Sequence, residues 1–204
     1  MKIALATIAA LSGIATASPY LANESAESLD FEFGTQGVPD VFATITLDLS
    51  GLMTWDLLGD PDNLVMIIDG GPLAEFSHVV GVGWDVTIET SGGSWLSEAT
   101  IGIENSDQSS GVFLGPGSGT DTSGTVAFNS GGLIDIVSEG LDFYLNEDGD
   151  FRIEFFETFD DNPDEIDAEF LLGSSLQIKY TLIPAPSAMA LMGLGGLLTV
   201  RRRR

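Results

Sequence analysis

The sequence predicts an all-β fold, a β-sandwich of the jelly-roll kind, with a helix at each end of the chain. Three observations carry this. Apolar residues recur at every second position through most of the chain, the period of a strand with one buried face. Clusters of Gly, Ser, Asn and Asp interrupt these runs at short intervals, which is turn chemistry. Between the two ends no convincing helical pattern of ten residues occurs, and many short strands in one chain argue for a sandwich or jelly roll.

Taken in chain order, the first element is not part of the sandwich. Met1-Lys2 is a short positive start, Ile3 to Ala15 is apolar, and Ala15-Thr16-Ala17 is an A-x-A cleavage site. Together they read as a secretory signal peptide over 1–17. A buried amphipathic helix would need a polar face, and only Thr7 and Ser12 supply one. Residues 18–28 are polar and read as a flexible leader, which leaves the β domain over 29–182.

Within that domain Val41 to Leu49 alternates, with Val41, Ala43, Ile45, Leu47 and Leu49 on one face. His78 to Glu89 alternates more strongly: Val80, Val82, Trp84, Val86 and Ile88 share a face, opposite Asp85, Thr87 and Glu89. Ile101 with Ile103, Leu133 to Val137, Phe151 to Phe155 and Leu176 to Leu182 complete the set, and the last points Leu176, Ile178, Tyr180 and Leu182 inward. Turns are expected at Ser91 to Ser94, Gly115 to Gly119, Asn129 to Gly132 and Asn146 to Asp150.

The C-terminal segment, 183–204, is read as a sorting tail. Ala185 to Val200 is a run of small and apolar residues, and Arg201, Arg202, Arg203 and Arg204 follow it. Sixteen residues make a helix of roughly 24 Å, short against a hydrocarbon core of about 30 Å. Snorkelling arginines and local thinning close that gap, and the positive-inside rule puts the Arg cluster in the cytoplasm. Pro184 and Pro186 lack amide protons, so the helix begins at or just after them and leaves an extended segment at the outer interface.

This arrangement resembles the PEP-CTERM sorting tail, also called the ice-binding-protein C-terminal domain. The matching features are Pro184 and Pro186, the apolar run with Gly193, Gly195 and Gly196, and the four terminal arginines; Ala185 stands where the name-giving Glu would be. The resemblance implies a route: export, transient anchoring in the inner membrane, cutting near Pro184 to Pro186 by an exosortase-type processing enzyme, and release or attachment at the cell surface. It also implies an association with exopolysaccharide. From Val82 onward the domain is similar to the globular part of other tail-bearing surface proteins, through Gly83 to Thr90, Gly93 to Ala99 and Phe155 to Asp161. The closing pattern is similar to the jelly-roll P domain of subtilisin-like proteases, which implies a fold and no activity.

Charge narrows the partners. The 204 residues include 31 Asp and Glu, all between Glu24 and Glu169, and across 18–182 only Arg152 and Lys179 oppose them, a net of −29. Such a surface repels phosphate backbones, so no nucleic-acid partner is expected. Anionic lipid and polysaccharide are repelled too, unless divalent cations bridge. No Cys is present, and the span of about 165 residues between the two end segments buries enough surface, roughly 70%, to hold together without disulfides.

Catalytic signatures are scarce. Nucleophilic hydrolysis needs a base beside the nucleophile, and the single His, His78, opens a strand and reads as structural. The sequence holds no zinc ligand set and no phosphate-cradling Gly-Lys-Ser. The reading is therefore non-enzymatic, with a carbohydrate-active enzyme using a carboxylate pair as the alternative. Calcium takes six to eight oxygens, largely from loop carboxylates. The candidate ligands are Asp148 and Asp150 in one acidic turn and Asp160 and Asp161 in another. Of the three tryptophans, Trp84 is in phase with the core, and Trp95, in a Gly-Ser turn, is the candidate for sugar stacking. An ice-binding face needs ranked Thr-x-Thr rows, and the sequence has only isolated instances such as Thr44-x-Thr46.

Overall fold

The computed structural model describes residues 26–33 (backbone only), 41–71, 73–160 and 165–182, and within them every regular element is a strand. The signal segment, the sorting tail and Asp161 lie outside the described residues. In order the strands are β1 (Ala26–Phe33), β2 (Val41–Asp48), β3 (Met53–Thr54), β4 (Leu64–Asp69), β5 (His78–Thr90), β6 (Ala99–Asn105), β7 (Gly111–Leu114), β8 (Thr125–Asn129), β9 (Ile134–Asp135), β10 (Phe143–Tyr144), β11 (Asp150–Glu157), β12 (Ala168–Phe170) and β13 (Ser175–Leu182). β1 starts at Ala26, inside the tract read as leader. Among the described residues no helix is long and apolar enough to cross a membrane.

Two antiparallel sheets form. The smaller runs β4-β11-β6-β7. The larger runs β1-β2-β13-β5, with β8, β9 and β10 each paired to β5. Register shows that several short strands are pieces of longer ones. β13 pairs β5 from Ser175 to Tyr180, and β12 pairs the same strand further on, at Ile88 to Thr90. β3 pairs β12 as β2 pairs β13. Counting β2 with β3, β12 with β13, and β8 with β9 and β10, eight strands follow β1. The larger sheet then holds the first, eighth, third and sixth, and the smaller the second, seventh, fourth and fifth.

Alternation places the core between the sheets. Leu176, Ile178, Tyr180 and Leu182 point inward along β13, as do Ala43, Ile45 and Leu47 along β2. β5 follows the expected phase at Val82, Trp84, Val86 and Ile88, but Val79, not Val80, is fully buried at its start. Opposite, Lys179 pairs with Gly81 and Tyr180 with Val79, so Val80 is an extra residue in a bulge. One inserted residue flips the side-chain phase before it.

Two aromatic contacts join the sheets edge to face. Phe151 of β11 meets Tyr180 of β13 with ring centroids 5.2 Å apart, and Phe155 of β11 meets Phe170 of β12 at 5.5 Å. The Tyr180 hydroxyl donates to the Gly70 carbonyl at 2.8 Å. Burial, with Asp69 nearby, pushes the Tyr180 phenol up to about 12. A phenol pKa above its unfolded value means the folded state holds its proton more tightly, so stability falls as pH rises through that interval. Between about pH 10 and 12 the protein should lose on the order of 2 kcal/mol through this group. Tyr180→Phe should cost about 1–2 kcal/mol at neutral pH, by orphaning the Gly70 carbonyl, yet flatten the alkaline slope. Urea melts at several pH values read both effects; an unchanged slope in the variant would contradict this assignment.

Candidate metal centre

Four connections that cross between the sheets meet at one end of the sandwich: 55–63, 91–98, 115–124 and, in its described parts 158–160 and 165–167, the one from β11 to β12. Backbone hydrogen bonds stitch them together. Ser91 N donates to Asp167 O at 2.8 Å, Asp167 N to Thr54 O at 3.0 Å, Thr158 N to Glu98 O at 3.1 Å and Leu96 N to Thr122 O at 3.0 Å. These loops carry no Lys or Arg.

The first loop reads Trp55-Asp56-Leu57-Leu58-Gly59-Asp60-Pro61-Asp62-Asn63. Its Gly59 sits at φ +83°, the left-handed region that favours glycine. The Gly59 amide donates to Glu154 Oε1 at 2.7 Å. Asn63, fully buried, latches the loop shut: Nδ2 donates to Leu57 O at 2.7 Å and to Glu154 Oε1 at 3.0 Å, and Oδ1 accepts from Asp56 N at 3.0 Å. The fold thereby gathers Asp56, Asp60 and Asp62, whose nearest carboxylate oxygens all lie within 4.8 Å of one another. This group could hold a metal ion.

More carboxylates stand around it. Asp167 is buried and accepts from Ser94 Oγ at 2.6 Å; Glu157, also buried, accepts from Thr54 Oγ1. Glu98 Oε2 accepts from Trp95 N at 2.7 Å. Asp160 belongs to the same field, and its Oδ1 is buried with no hydrogen-bond partner among the described residues. The electrostatic consequence falls on Asp56: burial first, then Asp60, Asp160, Asp62 and Asp167, push its carboxyl above the usual range. An all-oxygen donor set without His or Cys suits a hard cation.

Of the residues singled out in the sequence, Asp160 falls at this end and Asp148 and Asp150 do not. Their turn lies at the far end of β11, where Asp150 N donates to Asp148 Oδ1 at 3.1 Å. Burial, Asp148 and Asp69 push the Asp150 carboxyl up. Trp95 stands 45% exposed at the loop end, whereas Trp84 is buried in the core. His78 Nε2 meets Asp142 Oδ2 at 2.6 Å, and its ring stacks on Tyr144 with centroids 4.4 Å apart. The sequence reading missed Asp56, Asp60 and Asp62. The available signal was three aspartates in seven residues around a Gly and a Pro.

No protein-family model matches the sequence. No curated protein matches it either. Among solved structures the chain is similar to the infectious bursal disease virus VP2 subviral particle, at 12% identity and a TM-score of 0.27, over 70% of this chain. The match spans 37% of that protein's chain.

Proposed function

We propose that this chain is an exported, non-enzymatic surface protein: a jelly roll whose loop end takes up calcium, delivered by its C-terminal tail and retained with polysaccharide outside the cell. The observation that carries the calcium reading is the Asp56, Asp60 and Asp62 group, set among further carboxylates in loops that hold no basic residue. A divalent cation relieves the mutual repulsion that, after burial, raises the Asp56 carboxyl, and calcium tolerates an irregular oxygen set better than magnesium does. The strand order supports the jelly roll, since eight strands shared between two such sheets form its double Greek key. The apolar run before Arg201 to Arg204 and the A-x-A site at Ala15 to Ala17 support the export route. Processing by an exosortase-type enzyme would free the domain from the inner membrane.

Native intact mass of the protein recovered outside the cell tests the whole reading. The expected species begins just after Ala17, ends near Pro184 to Pro186, and carries calcium that a chelator removes. Saturating calcium, at a hundred times its dissociation constant, should stabilise the domain by about 2.7 kcal/mol. Asp60→Asn with Asp62→Asn should abolish that gain. A mass that keeps residues 183–204 would refute the route, and equal melting with and without calcium would refute the site.

A further inference from the structure

The outer face of the larger sheet holds a second candidate site. Register sets Asp48, Ser175, Asp85 and Asn129 in one row across β2, β13, β5 and β8. Thr46, Gln177 and Gly83 form the adjoining row. Leu176 and Trp84 point into the core, so their neighbours on each strand face out. Gly83 contributes no side chain, the turn 130–132 closes over it, and a hollow opens beside that turn between Asp85, Asn129, Ser175 and Gln177.

The turn 130–132 walls this hollow, and glycine is what admits it. A Cβ at position 83 would come within 2.8 Å of the Gly132 carbonyl oxygen and 3.3 Å of Ser130 Oγ. Ser130 holds the turn down: Trp84 N donates to Ser130 Oγ at 2.8 Å, and Ser130 N donates to Trp84 O at 2.9 Å. The resulting groove has a volume of about 230 Å³. Its walls carry the amides of Asn129 and Gln177, the hydroxyls of Ser130 and Ser175 and the carboxylate of Asp85. The backbones of Asp85 and Gln177 pair in the ladder, but among the described residues their side chains make no hydrogen bond, so those polar groups remain available to a ligand.

We infer that this groove binds a neutral saccharide unit. Amides and hydroxyls both donate and accept, and a carboxylate accepts; a sugar hydroxyl offers both roles in return. The lining contains no Lys or Arg, and a domain of net charge −29 repels phosphates, sulfates and uronates. A bare cation would meet one carboxylate only. The groove lies on a sheet face rather than in the connecting loops, so it works without the metal, and the inference stands whether or not the calcium reading holds.

The test titrates the full exported chain with neutral hexasaccharides (β-1,4-glucan, β-1,3-glucan and β-1,4-mannan) and with a hexauronate, each with calcium and with EDTA, read by amide chemical shifts. At least one neutral glycan should shift Asn129, Ser130 and Gln177 equally in both conditions. Asn129→Ala with Gln177→Ala should weaken that binding about tenfold or more at an unchanged melting temperature. No neutral glycan binding at millimolar concentration would overturn the inference. So would shifts confined to the Asp60 and Trp95 loops, or binding of the uronate alone. If the double variant fails to fold, the shift map of the unaltered protein still decides.

Discussion

Replacing Arg152 with Ala should cost about 3–5 kcal/mol, a large part of the 5–15 kcal/mol that holds a typical domain together. Arg152 lies on the outer side of β11, nearly buried, with Nη1 2.7 Å from Glu104 Oε2 and Nη2 2.6 Å from Glu154 Oε2. The gain from this triad over an apolar surface is modest, because three charges are desolvated to make it. Removing the cation alone is another matter: it strands two carboxylates that neighbouring side chains shield from water. Burial already raises the Glu104 carboxyl, and Arg152 is what opposes that rise. In the variant Glu104 should bind its proton more tightly folded than unfolded, so stability should fall as pH increases through the carboxylate range. The deficit should therefore shrink in mild acid. Urea melts at neutral and mildly acidic pH measure both; a loss under about 1 kcal/mol at neutral pH would contradict the buried-triad account.

Phe155→Ala should cost a similar amount, about 3–5 kcal/mol, by a different route. Phe155 is fully buried between the sheets, edge-on to Phe170 with the ring planes at 71°. Truncation removes a large transfer contribution and leaves a cavity that two paired sheets cannot easily close. Here the loss should be independent of pH, with an unchanged dependence on denaturant concentration and a lower midpoint. Insensitivity to this substitution would mean that the two sheets do not pack through β11.

Much of the sandwich was legible in the chain because its long strands have one buried face. β2, β5 and β13 alternate visibly, and the residues expected to point inward along β13 do so. β1, β4 and β7 do not stand among the expected strands, and neither do the pieces β3, β8, β10 and β12, of two to five residues each. The extended form of these pieces comes from pairing with a distant partner, chiefly β5, and not from a local pattern. β6 is buried at all seven positions, so alternation could not mark its faces. The bulge at Val80 depends on how β13 registers against β5, which a single segment does not encode.

The metal centre was less legible, for a topological reason. Two acidic turns stood out, and β11 runs between them. Eight extended residues span roughly 26 Å, so turns at its two ends cannot share one ion. Asp160 instead comes within electrostatic reach of Asp56, about a hundred residues away in the chain, because the connections that carry them return to the same end. Which loops converge follows from strand order, and strand order is set by long-range pairing.

The central claim concerns one place, and anomalous diffraction from a crystal grown with calcium tests it most directly. The account predicts a peak among Asp56, Asp60 and Asp62, with their carboxylate oxygens about 2.3–2.6 Å from it. No peak there, or a peak at Asp148 and Asp150 alone, would contradict it.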